Sequence, residues 1–415
     1  MHFLYNTGIH LYSWAIRLAS PFHAKARLFR AGRRRLFKRL QAAITDEAPV
    51  VWFHCASLGE FEQGRPLMEA YRQQCPEHKL LLTFFSPSGY ELRKDYPGAD
   101  WVFYLPLDTP RNARRLIGIV KPRMAIFIKY DFWYNILQAL QAQGVPTYVV
   151  SAIFRPAQLF FKSYGGFFRN MLHAYRQLFV QDNYSQELLQ SIGITRVQVS
   201  GDTRFDRVRK LAQASRTIPP VEPFLAGQPA LIAGSTWPAD EDKLAGALAA
   251  LPAPVKLIIA PHEIHEERLA AIERRFRKGG TVRYSALCDG SQPAAPHCRT
   301  LIVDTIGLLA ALYRYGKAAY IGGGFSISGI HNTLEAAVYG LPVVFGPNYQ
   351  RFREACDLIT QGGAVGYTNE KKLEAILLRW FTDDDARRAA GEINRQYVIH
   401  HCGATAMILQ ALVEG

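Results

Sequence analysis

The chain has 415 residues, of which 49% are hydrophobic, and a formal net charge of +14. This length predicts two or three domains, and the composition excludes fibrous and disordered proteins. The six cysteines form no CxxC pair, so the sequence argues against a zinc site or a disulfide framework and fits a reducing compartment.

The first 45 residues carry nine basic residues and no Asp or Glu. Residues 3–20 are mostly apolar, and their polar positions recur at helical spacing: Asn6, His10, Ser13 and Arg17. A helix with a broad apolar face, followed by basic residues, favours a position on an anionic membrane surface. The segment is short for a spanning helix. Packing against its own domain is one alternative, and nucleic-acid binding is another that lacks any known motif.

From Val50 onward, short apolar runs alternate with segments long enough for helices. The alternation predicts α/β domains with parallel sheets, which bind ligands at the carboxyl ends of their strands. The strands predicted in the first half are Val50–Cys55, Lys79–Phe84, Trp101–Tyr104, Ala125–Ile128, Thr147–Ser151, Leu178–Gln181 and Gln198–Ser200. Those predicted in the second half are Ala230–Ala233, Val255–Ala260, Leu301–Val303, Ala318–Ile321 and Val343–Phe345.

The domain boundaries follow from this alternation and from one polar run that contains a Pro-Pro pair. Two such domains predict a ligand cleft between facing strand ends. We expect a membrane-associating segment over residues 1–45, a Rossmann-like domain over 46–209, a linker over 210–222, a second Rossmann-like domain over 223–385, and a helix over 386–415 that crosses back to the first domain.

The segment from Gly322 to Ala337 carries the most informative local pattern. It predicts a glycine-rich turn between a buried strand and a helix start, and such turns bind phosphates through free backbone N–H groups. Glu335 lies three residues after Asn332, so both side chains point to one side of the first turn. A carboxylate beside a phosphate cradle suits ribose hydroxyls and indicates a nucleotide-sugar site. The alternative is an ordinary loop in which Asn332 caps the helix.

Other predicted strand ends also carry polar residues. Glu60 enters a helix after the first strand, where it either acts as a general base or complements the helix dipole. Asp131 and Arg204 follow later strands, and an interdomain salt bridge is their alternative role. The order H-E-x-H at His262 lacks the spacing of a metal motif, and the chain has neither a P-loop nor a GxGxxG after its first strand.

In this order and spacing, the motifs resemble the 3-deoxy-D-manno-octulosonic acid (Kdo) transferases of lipopolysaccharide assembly. The resemblance covers almost the whole chain. Besides the N-terminal helix and its basic run, it is carried by Ser57–Glu60, Ser86–Gly89, Leu105–Asp108, Asp131–Trp133, Gly201–Asp206, Asp304–Gly307 and His331–Ala337.

The resemblance implies a GT-B glycosyltransferase with two Rossmann-like domains that moves Kdo from CMP-Kdo to a lipid A precursor of the lipid IVA type. It implies a peripheral or monotopic protein at the cytoplasmic face of the bacterial inner membrane, without a metal, another cofactor or a nucleic-acid partner. It makes no prediction of oligomeric state.

The resemblance also assigns site residues. Glu60 would be the general base, and Asp131 and Arg204 would stabilise the transition state. The expected donor contacts are His262, Glu263, Ile306, Gly307, Leu308, Asn332, Thr333, Leu334 and Glu335. We add Ser235 and Thr236, which follow the first predicted strand of the second half. The acceptor-side candidates, from two polar turns of the first half, are Ser57, Gly59, Ser86 and Ser88.

Several positions depart from the more familiar family pattern. Lys129-Tyr130-Asp131 stands where the family has Glu-Thr-Glu, Arg204 replaces a lysine, and His262 replaces an arginine. Two other functions therefore stay open. One is a GT-B transferase that uses a UDP- or GDP-sugar, and the other is a non-catalytic scaffold that binds nucleotide or lipid.

Overall fold

The computed structural model describes residues 1–45, 48–214, 217–252, 255–291 and 298–414. The chain divides into two compact units, Met1–Arg207 with Cys402–Gly415, and Val208–His401. The described strands are β1 (Val50–Cys55), β2 (Lys79–Phe84), β3 (Trp101–Tyr104), β4 (Met124–Ile128), β5 (Thr147–Ala152), β6 (Gln177–Val180), β7 (Val197–Val199), β8 (Ala230–Thr236), β9 (Lys256–Pro261), β10 (Thr281–Arg283), β11 (Thr300–Ile302), β12 (Ala318–Ile321), β13 (Val343–Phe345) and β14 (Ala364–Gly366).

The described α-helices alternate with these strands along the chain. They are α1 (His2–Ala19), α2 (Ala24–Gly32), α3 (Leu36–Ala43), α4 (Leu58–Gln74), α5 (Pro87–Arg93), α6 (Pro110–Val120), α7 (Tyr134–Ala142), α8 (Gly166–Leu172), α9 (Asn183–Gln190), α10 (Thr203–Ala214), α11 (Val221–Leu225), α12 (Pro238–Ala250), α13 (Glu266–Phe276), α14 (Tyr284–Cys288), α15 (Leu309–Leu312), α16 (Leu334–Ala337), α17 (Arg353–Gln361), α18 (Glu370–Thr382), α19 (Asp384–His400) and α20 (Ala404–Glu414).

Within the described residues, the first unit is built on a parallel sheet of seven strands in the order β3-β2-β1-β4-β5-β6-β7. Every residue of β1 is buried, because helices cover both faces of the sheet. Trp52 packs in a core on one face with residues of α6 and α7, whereas Phe53 packs on the other with residues of α4 and α20. The unbroken apolar run of β1 therefore reflects two-sided burial rather than one-sided alternation.

The second unit has the same construction in its described part, with the parallel strand order β10-β11-β9-β8-β12-β13-β14. The edge strands β10 and β14 were not predicted, because each contains only one large apolar residue, Val282 and Val365, and so forms no apolar run. In both units the order reverses next to the first strand of the unit, which is the point where doubly wound sheets bind ligands. The predicted fold class of two Rossmann-like α/β domains is confirmed.

Two predicted segment boundaries differ from the structure. Residues 210–214 of the expected linker continue α10, Ser215 and Arg216 lie outside the described residues, and α11 begins at Val221. The helix expected over 386–415 is two helices, because Gly403 at φ 117° separates α19 from α20. The Asp383 side chain accepts a hydrogen bond from Ala386 N and starts α19 two residues earlier than expected, within the second unit.

Helix α1 lies against the first unit with the side that carries polar residues. The Tyr5 hydroxyl donates to Asp108 Oδ2 at 2.6 Å, and Asn135 Nδ2 donates to Asn6 Oδ1 at 2.8 Å. Asp108 is buried and also accepts backbone N–H bonds at the start of α7, so its carboxylate joins the two helices. Part of the predicted polar stripe is therefore satisfied by the protein rather than by water.

The opposite side of α1 exposes large apolar side chains. Phe3 is 79% exposed, and Leu11, Trp14 and Leu18 are each about 60% exposed or more. Phe22, just past the end of α1, is 85% exposed. The helix thus presents its apolar face outward and part of its polar side to the protein, which is the reverse of a helix packed on a core.

Helices that could serve as membrane spans, judged by length and apolar content, are not found among the described residues.

Candidate active site

The first candidate residue, Glu60, lies in the opening turn of α4, directly after β1. Ser57 precedes the helix in an extended conformation, and its hydroxyl donates to the Glu60 carboxylate. Glu60 remains half-buried, and Gly59 beside it is exposed. The turn therefore holds a carboxylate, already oriented by one hydroxyl, at the carboxyl edge of the sheet. Such a group is placed to accept a proton from a bound hydroxyl.

Asp131 follows β4, the strand next to β1, and is almost completely buried. Burial and the negative charge of Glu60 raise the pKa of Asp131 well above its usual value, although the Ala56 N–H opposes this rise. Among the described residues, Asp131 Oδ2 has no hydrogen-bond partner. The structure thus brings the two predicted carboxyl groups together in an environment that disfavours charge on both at once.

His54 does not supply the missing positive charge, although its Nε2 lies 3.4 Å from Asp131 Oδ2. Its ring is fully buried, and burial lowers the pKa of His54 to about 3. Nε2 accepts a hydrogen bond from Trp133 Nε1 at 3.2 Å, while Nδ1 lies 2.8 Å from Thr83 Oγ1. These contacts fit a neutral imidazole that carries its proton on Nδ1. His54 therefore positions Trp133 beside the carboxyl pair.

Arg204 reaches the same region from the turn after β7. Its Nε donates to Asp202 Oδ2 at 2.8 Å. The next residue, Thr203, connects this segment to α4, because Thr203 Oγ1 donates to Gln63 O at 2.5 Å. Gln63 lies one helical turn after Glu60. Burial raises the pKa of Asp202, but the charge and hydrogen bonds of Arg204 outweigh it and lower the pKa overall.

The side chain of Tyr130 lies within range of the charges of two predicted catalytic residues, Glu60 and Arg204. Burial raises the pKa of Tyr130; among nearby charges, Arg155 lowers it, Glu60 raises it and Arg204 lowers it. Lys129, just before it, has a backbone φ of 72°, a strained conformation for a lysine at a strand end. Glu60, Asp131 and Arg204 therefore converge at one edge of the first sheet.

Ser86 and Ser88, the other acceptor-side candidates, begin α5. Ser86 Oγ accepts from Ser88 N at 3.2 Å and lies 2.9 Å from Ser88 Oγ, so both hydroxyls are engaged in the start of this helix. Ser86 N donates to Ala56 O at 2.8 Å and thereby joins this turn to the one that carries Ser57. The two polar turns are neighbours at the same edge.

In the second unit, the glycine run after β12 is explained by backbone packing. A Cβ added to Gly322 would lie 2.2 Å from the Ser235 carbonyl oxygen, and one added to Gly324 would lie 2.5 Å from Gly346 N. Gly323 adopts φ 89° and donates its N–H to Asp240 Oδ2 at 2.9 Å. The glycines therefore bring three loops together, and closeness to a ligand is not needed to explain them.

The turn from Asn332 to Glu335 is compact and largely satisfied internally. Asn332 Oδ1 accepts from Leu334 N at 3.0 Å, and its Nδ2 donates to Glu335 Oε1 at 3.1 Å. The predicted common orientation of Asn332 and Glu335 is therefore confirmed. The helix that follows, α16, has a single turn, so its dipole is weaker than the sequence suggested. The side chains of Thr333 and Leu334, two of the predicted donor contacts, are buried.

His262 forms an aromatic stack that the sequence did not predict. Its ring centroid lies 4.7 Å from that of Trp237 and 4.5 Å from that of His331, with small interplanar angles. Trp237 Nε1 donates to His331 Nε2 at 3.3 Å, and burial, with a smaller effect of His262, lowers the pKa of His331 to about 4. His331 is therefore neutral near pH 7, while His262 is exposed at the end of β9.

The remaining donor candidates differ in their access to solvent. Ser235, with φ 54°, lies one residue before the end of β8, and the hydroxyl of the buried Thr236 donates to Glu241 Oε1 at 2.8 Å. Glu263 is exposed beside His265. Ile306, Gly307 and Leu308 follow β11, and Ile306 is 86% exposed.

Potential metal ligands cluster elsewhere. In the described part of the chain, Cys75, Glu77 and His78 are the group whose ligand atoms lie within 4.8 Å of one another. They lie at the opposite end of α4 from Glu60, and the Tyr71 hydroxyl is 2.8 Å from His78 Nδ1. The absence of a catalytic metal stays a prediction.

Comparison with known proteins shows which enzymes this chain is similar to. Residues 30–207 match the family model described as 3-deoxy-D-manno-octulosonic-acid transferase (kdotransferase). The 3-deoxy-D-manno-octulosonic acid transferase of Bordetella pertussis is 28% identical over 94% of this chain and 91% of its own length. The enzyme of the same name from Aquifex aeolicus is 26% identical over 79% of this chain and 84% of its own length. The chain is a homologue of the Kdo transferases.

Solved structures identify the fold of this Kdo transferase homologue. UDP-GlcNAc 2-epimerase from Neisseria meningitidis aligns with a TM-score of 0.61 at 15% identity, over 88% of this chain and 100% of that one. MurG from Acinetobacter baumannii aligns with a TM-score of 0.56 at 13% identity, over the same shares. The fold is GT-B, as the sequence predicted.

The buried Asp131 predicts a stability that depends on pH. Because the folded state raises the pKa of Asp131, it binds more protons than the unfolded state above about pH 4, and the free energy of unfolding falls as pH rises. Asn cannot ionise, so Asp131→Asn should be more stable than wild type at pH 7, where burial of the ionisable carboxyl costs stability. The gain should vanish near pH 3. Urea unfolding across this pH range measures it.

Asp100→Asn is the matched control. Burial opposes charge on Asp100, but the Leu80 N–H and the Arg72 guanidinium outweigh it and lower its pKa. This substitution should therefore destabilise the protein at pH 7. Equal destabilisation by Asp131→Asn at every pH would show that Asp131 is not held in an unfavourable charged state.

Proposed function

We propose that this homologue transfers Kdo from CMP-Kdo to an acidic lipid A precursor. The observation that carries the proposal is the convergence of Glu60, Asp131 and Arg204 in a chain whose relatives, matched over most of their length, are named Kdo transferases. These are the residues that the family resemblance assigned to catalysis. Two carboxyl groups beside one arginine suit a glycosyl transfer through a positively charged transition state.

In the proposed reaction, an acceptor hydroxyl lies against Glu60. The Glu60 carboxylate takes the hydroxyl proton while the oxygen bonds to the anomeric carbon of Kdo, and the bond from that carbon to the CMP phosphate breaks. Displacement from the opposite side inverts the anomeric centre. Positive charge on the sugar ring would stabilise the ionised form of Asp131, whose pKa burial and Glu60 hold high in the ligand-free protein. Arg204, paired with Asp202, would contact the developing negative charge.

The second unit would bind CMP. The exposed edge of His262, fixed by its stack on Trp237 and His331, would contact the phosphate or the base, and the Glu335 carboxylate would accept from the ribose hydroxyls. Backbone N–H groups of the neighbouring turns would supply further donors. CMP leaves with a single phosphate, so a divalent metal is not required in this proposal.

Helix α1 supports a position on the membrane surface. Its outward apolar residues and the basic residues of the next 20 positions provide a hydrophobic and an electrostatic contribution to lipid binding. Because the side with Tyr5 and Asn6 is held by the first unit, the exposed face has a fixed orientation. We propose attachment at the cytoplasmic leaflet, as the family resemblance implies.

Product analysis tests the donor and the base together. Incubation with a tetraacylated lipid A precursor and CMP-Kdo should add Kdo to the lipid, whereas UDP- and GDP-sugars should give no product. Glu60→Gln should lower turnover by about 10²–10⁴-fold with CMP-Kdo binding retained, because Gln cannot accept the proton. Mass analysis of the lipid and calorimetric titration of the nucleotide sugar measure the two effects.

Glu69→Gln is the control for that substitution, since Glu69 lies on the same helix and pairs with Arg65 on the surface. It should leave turnover near that of wild type. Near-normal turnover of Glu60→Gln would remove the base from the proposal. Transfer from a UDP- or GDP-sugar, or nucleotide binding without any transfer, would instead support one of the two other functions.

The exposed face of α1 predicts vesicle binding that depends on three side chains. Replacement of Leu11, Trp14 and Leu18 by Ser should weaken binding to vesicles that contain anionic phospholipid by about tenfold or more for each residue, because each loses apolar burial. Flotation on a sucrose gradient measures it. Leu92→Ser, on the 60% exposed Leu92 of α5, is the control and should have no effect. Unchanged flotation of the triple variant would place the attachment elsewhere.

A further inference from the structure

A cavity of about 740 Å³ lies between α1 and the chain that follows it in the first unit. Its volume is in the range of small-molecule sites. The guanidinium-bearing residues that line it are Arg17, Arg27, Arg30, Arg33 and Arg34. So dense a cluster of positive charge in a concave surface requires a negative partner, and the sequence before residue 46 contains no carboxylate side chain.

One of the five guanidinium groups is structural. Arg33 donates from Nε to Leu105 O and from Nη2 to Phe85 O, both at 2.8 Å, and its guanidinium lies 3.5 Å from the ring centroid of Phe29. These acceptors are neutral, so Arg33 is held in place without a counter-ion. Its two backbone acceptors directly follow β2 and β3, which fixes the cavity at the carboxyl edge that also carries Glu60.

The other four arginines lack a carboxylate partner among the residues that the structure describes. Arg30 Nη1 donates to Ser20 Oγ at 3.3 Å, which is again a neutral acceptor. Arg27 and Arg30 lie three residues apart on α2, Arg34 lies in the turn after α2, and Arg17 lines the same cavity from α1. Guanidinium groups bind phosphate oxygens in pairs, and a dianionic phosphate monoester suits such a cluster better than a singly charged diester.

We infer that this cavity binds a phosphate monoester of the lipid acceptor. The inference rests on the proposed function, and it adds a defined subsite to the acceptor. The lipid source is favoured because Ser13, Ile16 and Arg17 of α1 line the cavity, while Trp14 and Leu18 of the same helix turns are exposed. A ligand with its phosphate in the cavity would lay its acyl chains along that apolar face. The sugar of the same ligand would lie toward the edge that carries Glu60.

The test compares two lipids and two variants. The lipids are a tetraacylated glucosamine disaccharide with its phosphate groups and the same lipid after enzymatic dephosphorylation, each in neutral phosphatidylcholine vesicles. The first variant replaces Arg17, Arg27 and Arg34 with Gln. The control replaces Lys25, Arg35 and Lys38 with Gln, which removes the same charge from the same stretch outside the cavity. Thermal unfolding and circular dichroism check that both variants fold.

The cavity variant should bind the phosphorylated lipid roughly tenfold more weakly for each guanidinium that contacts the phosphate, and should bind the dephosphorylated lipid like wild type. The control should bind both lipids like wild type. If both variants lose the same affinity for the phosphorylated lipid, the attraction is non-specific and electrostatic, and the inference is overturned. Equal binding of the two lipids by wild type would also overturn it. Inorganic phosphate should compete only weakly with the phosphorylated lipid. If it binds as tightly as the lipid does, the cavity is a site for free phosphate, and the assignment to a lipid phosphate is wrong.

A transfer assay separates this inference from the proposed function. If Kdo is transferred and the cavity substitutions leave KM for the phosphorylated acceptor unchanged, the phosphate site is wrong and the function stands. If binding follows the three arginines while CMP-Kdo supports no transfer, the function is wrong and the cavity remains a site for phosphorylated lipid.

Discussion

The repulsion between two carboxyl groups is the constraint around which the first unit is arranged. Parallel pairing of β1 with β4 sets Glu60 and Asp131 at one edge of the sheet, and burial there disfavours charge on Asp131. His54 is buried beside Asp131 in a neutral form, so it does not relieve the repulsion. Such an arrangement costs stability in the empty protein and becomes favourable when positive charge develops nearby. That is the electrostatic condition of an oxocarbenium-like transition state.

The surface of the first unit is consistent with a lipid acceptor at the same edge. Arg33 joins the basic N-terminal segment to the chain that follows β2 and β3, while α1 keeps Tyr5 against the protein and Trp14 outward. Apolar side chains, guanidinium groups that lack a carboxylate partner among the described residues, and the carboxyl pair thus follow one another on a single unit. The proposed acceptor, an amphiphilic and acidic molecule, offers a matching sequence of groups.

The sequence predicted the strands well where burial is two-sided. The runs from Val50 and from Lys79 end where predicted, because strands covered on both faces are continuously apolar and end in turns. Strands β10 and β14 gave no pattern, because each contains a single large apolar residue, whereas the equally short β11 and β13 are mostly apolar. The break between α19 and α20 depends on Gly403, and a single glycine does not distinguish a helix end from a tolerated interior residue.

The site was predicted less completely, because its properties arise from contacts across the fold. The motifs placed Glu60, Asp131 and Arg204 at strand ends, and the structure brings them together. The neutral state of His54 depends on Trp133, 79 residues away, and no local pattern reveals it. The sequence analysis explained the glycine run after β12 by a ligand that comes close to the backbone. The structure shows that the neighbouring backbone of Ser235 and Gly346 leaves no room for side chains there, which already explains the glycines. The stack of Trp237, His262 and His331 likewise unites three strand ends.

The protonation of Asp131 is the property on which this account depends most directly. Carbon-13 NMR of labelled aspartate side chains, assigned through Asp131→Asn, would follow its titration in wild type and in Glu60→Gln. The account predicts that the Asp131 carboxyl titrates well above the usual aspartate range and that its pKa falls when Glu60 loses its charge. An ordinary pKa, or one that Glu60→Gln leaves unchanged, would contradict the account.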